Sequence, residues 1–242
     1  MTEKTYTAAA LIIGNEILSG RTLDKNTQYI GETLTKAGIR LVEVRIVPDI
    51  EEKIVDAVNT LRAKVDYVFT TGGIGPTHDD ITAASIAKAF EVPIIQHPEA
   101  YEILLSYYTK DDLTEPRLKM AQTPEGASLV PNPVSGAPGF QMENVYTMAG
   151  VPSIMRGMLD SIIPTLKHGA EILSETVEAG VAESALAEAL GQVQDKFPAI
   201  DIGSYPQYRE GIHAVNVVLR GTDAALLKQA ADAVRAMLAQ LD

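Results

Sequence analysis

The sequence contains no cysteine and no tryptophan. The missing cysteine excludes disulfides, thiol catalysis and cysteine-ligated metals in one step, and fits a reducing compartment. Histidine is scarce as well. His78, His97, His168 and His213 are the only four, and none stands at a metal-ligand spacing from another. Positive charge is short: 20 Lys and Arg face 32 Asp and Glu, giving a net charge of −12. Such a surface repels polynucleotide phosphates and anionic lipid, so neither a nucleic acid nor a membrane partner is expected. A small phosphorylated ligand stays open, because it needs only a local nest of N–H donors or a bridging metal. No apolar run reaches the length of a membrane span. The opening MTEKTYTAAALIIG is too short in apolar residues for a signal peptide and breaks at Gly14-Asn15-Glu16. A cytoplasmic protein is the expectation.

What is present suits a folded enzyme-sized chain. Apolar residues make up 46% of 242, enough for a real core, and the length fits one main domain plus a small one. Residues 7–13 (TAAALII) read as a buried strand, 25–37 as a helix ended by Gly38, and 40–47 (RLVEVRIV) as an alternating strand. A helix over 50–64, with Ile50, Ile54, Ala57, Val58 and Leu61 on one face, leads to a strand over 65–71. Alternation of strand and helix predicts a parallel sheet with crossover helices. Further helices are expected over 80–90, 98–108 and 111–122, with a short strand at 92–95. Three short strand-like pieces within 127–148 follow, then a helix opened by Pro152 and closed at Gly169. The boundary is placed there, giving domains 1–169 and 170–242. The second reads as strand, helix (182–196), strand (199–205), strand (212–220) and helix (223–240), a small α+β unit with an antiparallel pair.

The stretch TTGGIGPTHDDIT, residues 70–82, lies between a predicted strand and a predicted helix. In open α/β sheets, ligands sit beyond the carboxyl ends of the strands. Gly72, Gly73 and Gly75 allow close backbone approach, Pro76 stiffens the turn, and Thr77 and Thr82 offer hydroxyls. The following helix start is a natural anion site. Asp79 and Asp80 would repel a bare phosphate, which points to a divalent cation shared between carboxylate and phosphate oxygens. One aspartate is expected to cap the helix and the other to bind metal. The Lys-Ser/Thr of a Walker loop and the third glycine of a dinucleotide fingerprint are both missing. The other strand ends carry Glu16 and Asp49, so Glu16, Asp49 and Asp80 are expected to meet on one rim. Arg117 and Lys119 are candidate phosphate contacts.

These residues resemble a known family. TTGGIGPTHDDIT resembles the signature of the molybdopterin-binding (MoaB/Mog) family, and GNEILSGRTLDKNTQYI, SGAPGF and AGVPSIMRGM resemble its CinA branch. IDIGSYPQY with VNVVLRGTD is similar to the small domain that follows the molybdopterin-binding-like domain of FAD synthases. The resemblance implies a three-layer α/β/α sandwich with a mostly parallel sheet, plus a small α+β domain. It implies site roles for Asp80 and Asp49; with Glu16 from the strand-end reading these are the catalytic candidates, and Asp80 with Asp79 the metal candidates. Gly72, Gly73, Gly75, Pro76, Thr77, Asn26, Ser135 and Gly136 become substrate-binding candidates. In the molybdenum-cofactor members the loop binds pterin phosphate for Mg²⁺-dependent adenylyl transfer. In the CinA and FAD-synthase branch the same domain is associated with cleaving the pyrophosphate of ADP-ribose or FAD, also with a divalent metal, Mg²⁺ or Co²⁺. Homo-oligomers (dimers, trimers or hexamers) are implied too. Two departures stand out: Asn15 replaces the usual aspartate, and Ala149 a proline. The CinA amidohydrolase and FAD-synthase adenylyltransferase segments are not expected. Three functions follow as expectations: a metal-dependent nucleotide pyrophosphatase, a molybdopterin-binding or adenylylating protein, or a non-catalytic binding module.

Overall fold

Strand β1 (Tyr6–Ile13) is buried along nearly its whole length, and its alternation sorts the layers. Ala8, Ala10 and Ile12 face one side, where Ile30, Leu34, Met155, Met158 and Leu159 pack against them. Ala9, Leu11 and Ile13 face the other, against Ile54, Ala57, Val58, Leu61 and Ile86. A strand with side chains of period two and helices on both faces must be apolar throughout, as AAALII is. The result is a three-layer α/β/α sandwich in a computed structural model that describes residues 5–209 and 212–240.

After β1 come a single helical turn, α1 (Asn15–Leu18), then α2 (Asn26–Lys36), β2 (Ile39–Val47), α3 (Glu51–Arg62), β3 (Tyr67–Thr71) and α4 (Thr82–Ala89). An excursion follows through β4 (Ile94–Gln96), α5 (Pro98–Tyr107), α6 (Glu115–Lys119) and β5 (Gln122–Pro124). The chain then returns through β6 (Ser128–Val130), β7 (Gly139–Met142), β8 (Val145–Met148) and α7 (Pro152–Ile162). The main sheet has the order β2-β1-β3-β8-β7-β6, while β4 and β5 form a separate two-stranded sheet. Strands β2, β1, β3 and β8 run parallel; β7 and β6 reverse direction. Helices α2 and α7 cover one face and α3 and α4 the other.

Chain contacts divide the molecule into Met1–Gly169 and Ala170–Asp242. The second unit holds β9 (Leu173–Ala179), α8 (Glu183–Lys196), β10 (Asp201–Arg209), β11 (Ile212–Gly221) and α9 (Ala224–Leu238). Its sheet is three-stranded and antiparallel, in the order β10-β11-β9, so β9 joins the expected pair. Val177, Val215, Val217, Leu219, Leu186 and Val234 form its own core. Asp223 caps α9 by accepting N–H groups from Ala225 and Leu226 at 2.9 and 3.0 Å.

Several boundaries differ from expectation for local reasons. The helix expected over 111–122 is a 3-10 turn at Lys110–Asp112, the five-residue α6, and a strand. Gln122-Thr123-Pro124 instead pairs with Ile94–Gln96, and this ladder takes the residues that would have extended the helix. The strand expected from 65 begins at Tyr67, because the Asp66 carboxylate accepts the Thr7 N–H and O–H at 2.9 and 3.0 Å. Helix α7 stops at Ile162, and Pro164 lies in the 3-10 turn beyond it. Leu166 is buried all the same.

Leu11 is wholly buried at the centre of the α3/α4 face. Leu11→Ala should lower unfolding free energy by about 2–5 kcal/mol in urea titration, the range for deleting a packed leucine. The β9–β11 core should keep its own amide protection in the same sample.

Candidate active site

Strands β1 and β3 are neighbours, yet the chain leaving β1 goes to α2 on one face and the chain leaving β3 goes to α4 on the other. This divergence opens a crevice beyond the strand ends, where α/β sheets take their ligands. Two clefts lie there, one on each side of the glycine loop. Both are shallow and open to solvent, with empty volumes, open mouths included, of about 370 and 330 Å³.

The loop is held in contact with β1 by glycine geometry. Gly72 has φ +102, and a Cβ there would lie 2.2 Å from the Ile13 carbonyl oxygen, so no side chain fits. Gly73 has φ +67 and gives its carbonyl to the Thr82 N–H at 3.0 Å. The buried Thr82 hydroxyl donates to the Gly72 carbonyl at 2.9 Å. One threonine therefore starts α4 and fixes both glycine carbonyls. The Thr82 hydroxyl expected to face a ligand is instead buried as the loop's anchor.

Neither aspartate caps α4. The helix begins at Thr82 with Ile81 in the cap position and no side-chain cap, which corrects the sequence expectation. Asp80 Oδ2 accepts the Thr77 N–H at 2.8 Å and also the Thr77 hydroxyl. The same hydroxyl is 2.6 Å from Asp79 Oδ1. Both carboxylates are thus gathered on one hydroxyl that has one proton to give. The Thr77 hydrogen bond, then that of its own backbone N–H, hold the Asp79 carboxyl below its ordinary 3.8, with His78 and Lys119 adding charge. Gly75 leaves room for this packing: a Cβ there would sit 2.8 Å from Asp80 Oδ2.

The α4-side cleft is lined by Gly73, Gly75 and Asp80 on the loop, Ala83 and Ala84 in the first turn of α4, and Lys119 opposite. The Lys119 ammonium donates to the Thr77 carbonyl at 2.5 Å. Arg117, its companion candidate, turns away to stack on Tyr108 at 4.5 Å and bond the Asp112 carbonyl. Pro138 and Phe140 also line this cleft. Ser135 and Gly136 do not: Asn132 holds Ser135 by two hydrogen bonds, and Gly136 abuts the Tyr107 ring. The SGAPGF motif reaches the site through its last residue and the preceding proline.

The α2-side cleft takes Glu16, Asp24, Asn26, Thr71 and Gly150. Asn26 is buried, donates its Nδ2 hydrogen to the Gly150 carbonyl at 2.8 Å, and leaves Oδ1 unpaired among the described residues. Asp24 sets this geometry by accepting the Asn26 and Thr27 N–H groups at 2.9 and 3.1 Å. Its spacing before α2 is an N-cap signal that sequence reading passed over. Asp49 lines neither cleft; its carboxylate accepts the Asn15 N–H at 2.8 Å and ties the ends of β1 and β2 together. The expected meeting of Glu16, Asp49 and Asp80 on one rim is therefore a division of three acids among three places. Pro76 and Thr77 are exposed at the loop's tip. Among the described residues, no three His, Asp or Glu side chains gather as a metal cage. Nor is any described helix long and apolar enough to cross a membrane.

Residues 9–168 match the family described as "Probable molybdopterin binding domain". The chain belongs to the molybdopterin-binding domain family. Its residues 171–241 match a second description, "FAD synthase, middle domain". A CinA-like protein of Citrifermentans bemidjiense is 34% identical over 243 residues, covering 95% of this chain and 58% of that protein. A protein of Caldivirga maquilingensis is 39% identical over 194 residues, covering 77% of this chain and 76% of its own. The crystal structure of CinA from Thermoplasma acidophilum, described as of unknown function, superposes with TM-score 0.64 at 33% identity over 66% of this chain and 98% of that one. The molybdopterin-binding domain match falls within the first unit, and its boundary coincides with the break in chain contacts.

Gly72→Ala should cost roughly 2–4 kcal/mol of stability, since it strains φ and drives a methyl into backbone. Gly20→Ala is the control. Its φ is +71 with nothing within 4 Å of an added Cβ, so about 1 kcal/mol is expected. Because the Asp79 carboxyl is depressed on folding, its bond to Thr77 is complete above pH 3.8 and fades as pH falls through the lower folded value. Carboxyl ¹³C titration should place Asp79 below 3.8, and Thr77→Val should return it toward that figure.

Proposed function

We propose that the chain is a metal-dependent nucleotide pyrophosphatase of the CinA-like branch, acting on FAD, ADP-ribose or a related dinucleotide. The observation that carries this reading is the convergence of Asp79, Asp80, Lys119 and the first turn of α4 on one glycine loop. Hard carboxylate oxygens suit Mg²⁺, which is held by one or two carboxylates plus substrate phosphate oxygens. The donor set fits: two acids share a hydroxyl at the cleft mouth, Asp79 half exposed, Asp80 half buried. Asp80 and Asp79 are the residues that would hold the metal. When bound, it neutralises phosphate charge and lowers the pKa of a coordinated water.

The chain's own groups do the remaining work. In the first turn of α4 the Thr82 and Ser85 N–H groups are taken by the Gly73 and Ile81 carbonyls, which leaves the cleft-lining Ala83 and Ala84 as the positions whose amides would meet a phosphate oxygen. Lys119 adds positive charge where negative charge grows during attack at phosphorus. The Thr82 bonds to the Gly72 and Gly73 carbonyls pin the loop backbone, which limits the reorganisation that binding requires. Phe140 and Pro138 give the cleft an apolar wall.

A second reading, binding or adenylylation of molybdopterin, is favoured by the family description covering residues 9–168. It uses the same phosphate logic. The FAD-synthase-type match of residues 171–241 favours the first.

Incubation with FAD or ADP-ribose should release AMP with Mg²⁺ or Co²⁺ and none with chelator. Failure with both substrates, together with saturable molybdopterin binding, would transfer the assignment to the second reading. Asp80→Asn keeps the size and an acceptor for the Thr77 N–H, so the unfolding free energy from urea titration should change by about 1 kcal/mol or less. Its kcat should fall at least about 100-fold. Unchanged turnover in that variant would remove Asp80 from the metal site.

A further inference from the structure

Thr77 stands at the exposed tip of the glycine loop, yet all three of its polar groups are engaged with the candidate site. Its N–H donates to Asp80 Oδ2 at 2.8 Å, and its carbonyl accepts the Lys119 ammonium at 2.5 Å. Its hydroxyl lies 2.6 Å from Asp79 Oδ1 and also meets Asp80 Oδ2. Lys119 comes from the end of α6, so this one residue joins both acids to the opposite wall of the cleft.

Neighbouring carboxylates repel each other, and on an exposed loop they are free to turn apart into water. The Thr77 hydroxyl keeps them together. Two oxygens that both touch one Oγ are no farther apart than the sum of the two contacts, so a single atom brings both carboxylates within reach of one cation. The hydroxyl has one proton, which serves one carboxylate; the other meets the oxygen's lone pairs. Three oxygens with one proton among them concentrate negative charge that a cation relieves. Asp80 Oδ1 accepts no hydrogen bond among the described residues and stays open on the same group. Resting on the metal-dependent reading above, we propose that Thr77 is the positioning residue of the metal site, its hydroxyl gathering Asp79 and Asp80 before the cation arrives. Side chains ordered in advance need no ordering by the ligand, so the hydroxyl strengthens metal binding without itself touching the metal.

Mn²⁺ binding to the full chain, with no nucleotide present, tests this by the electron paramagnetic resonance of the free ion. Mn²⁺ takes the same oxygen ligands as Mg²⁺. Thr77→Val exchanges the hydroxyl for a methyl of similar size and keeps the backbone bonds to Asp80 and Lys119. It should raise the Mn²⁺ Kd about 10-fold, whereas Thr77→Ser, which keeps an O–H, should stay within about 3-fold of the wild type. Thr77→Val added to Asp79→Ala should cost little more than Asp79→Ala alone, because no pair is left to gather. Damage to the loop would multiply the two losses instead. A wild type that binds no Mn²⁺ overturns the proposal, as does a Thr77→Val affinity equal to the wild type's. So does a serine variant no better than the valine, or a pair of losses that multiply. AMP release separates this inference from the reading it rests on. Metal-dependent turnover with Thr77→Val affinity unchanged removes the positioning role and leaves the pyrophosphatase. Mn²⁺ binding that follows Thr77, without AMP release, supports the positioning role and removes the pyrophosphatase.

Discussion

The close approach of Gly72 to the Ile13 carbonyl is the constraint on which the site depends. It brings the ends of two neighbouring parallel strands within backbone contact, a distance that no Cβ permits. Everything beyond follows from that contact. The Gly72 carbonyl is free to meet the Thr82 hydroxyl, α4 starts where that bond places it, and the carboxylates of Asp79 and Asp80 are left to fold back onto Thr77. Gly150 closes the other flank: a Cβ there would be 3.2 Å from Gly72 Cα. Small residues at 72 and 150 thus let three strand ends crowd together, and the crowding creates clefts on both sides.

Much of the fold was legible because burial writes itself into periodicity. AAALII can be apolar without interruption only in a strand covered on both faces, and the i, i+3, i+4 pattern of Ile54, Ala57, Val58 and Leu61 has one helical reading. The excursion from β4 to β5 was not legible. Its elements are three to ten residues long, and which of them forms a strand depends on a partner nearly thirty residues away. Propensity along 111–122 carries no trace of that partner.

The site was legible in its parts and less so in its arrangement. The glycine loop announces itself, because three glycines after a buried strand have few other uses. Whether an aspartate caps a helix or turns back to a threonine is decided by a few ångströms of backbone path. Sequence favours the commoner outcome, the cap, and here Thr77 took both carboxylates instead. Asp49 shows the same limit. Its place after β2 was readable, but its bond to the Asn15 N–H makes it a brace between strands. Asn15, read as the loss of a metal carboxylate, contributes its backbone to that brace. Asn26 was readable only through the resemblance; its unpaired Oδ1 emerges only when Gly150 claims the amide hydrogen.

The lining of the α4-side cleft comes from two hydrogen-bonded bodies. The glycine loop and Phe140 belong to the six-stranded sheet, whereas Gln122 sits in the two-stranded sheet of β4 and β5. No strand ladder spans them among the described residues; side-chain packing and the bond from Lys119 to Thr77 do. The cleft is therefore a seam and not a hole in a single body. Its stiffness is that of packed side chains, which yield more readily than a ladder of backbone bonds. The seam can part while the strand ends beside it stay fixed.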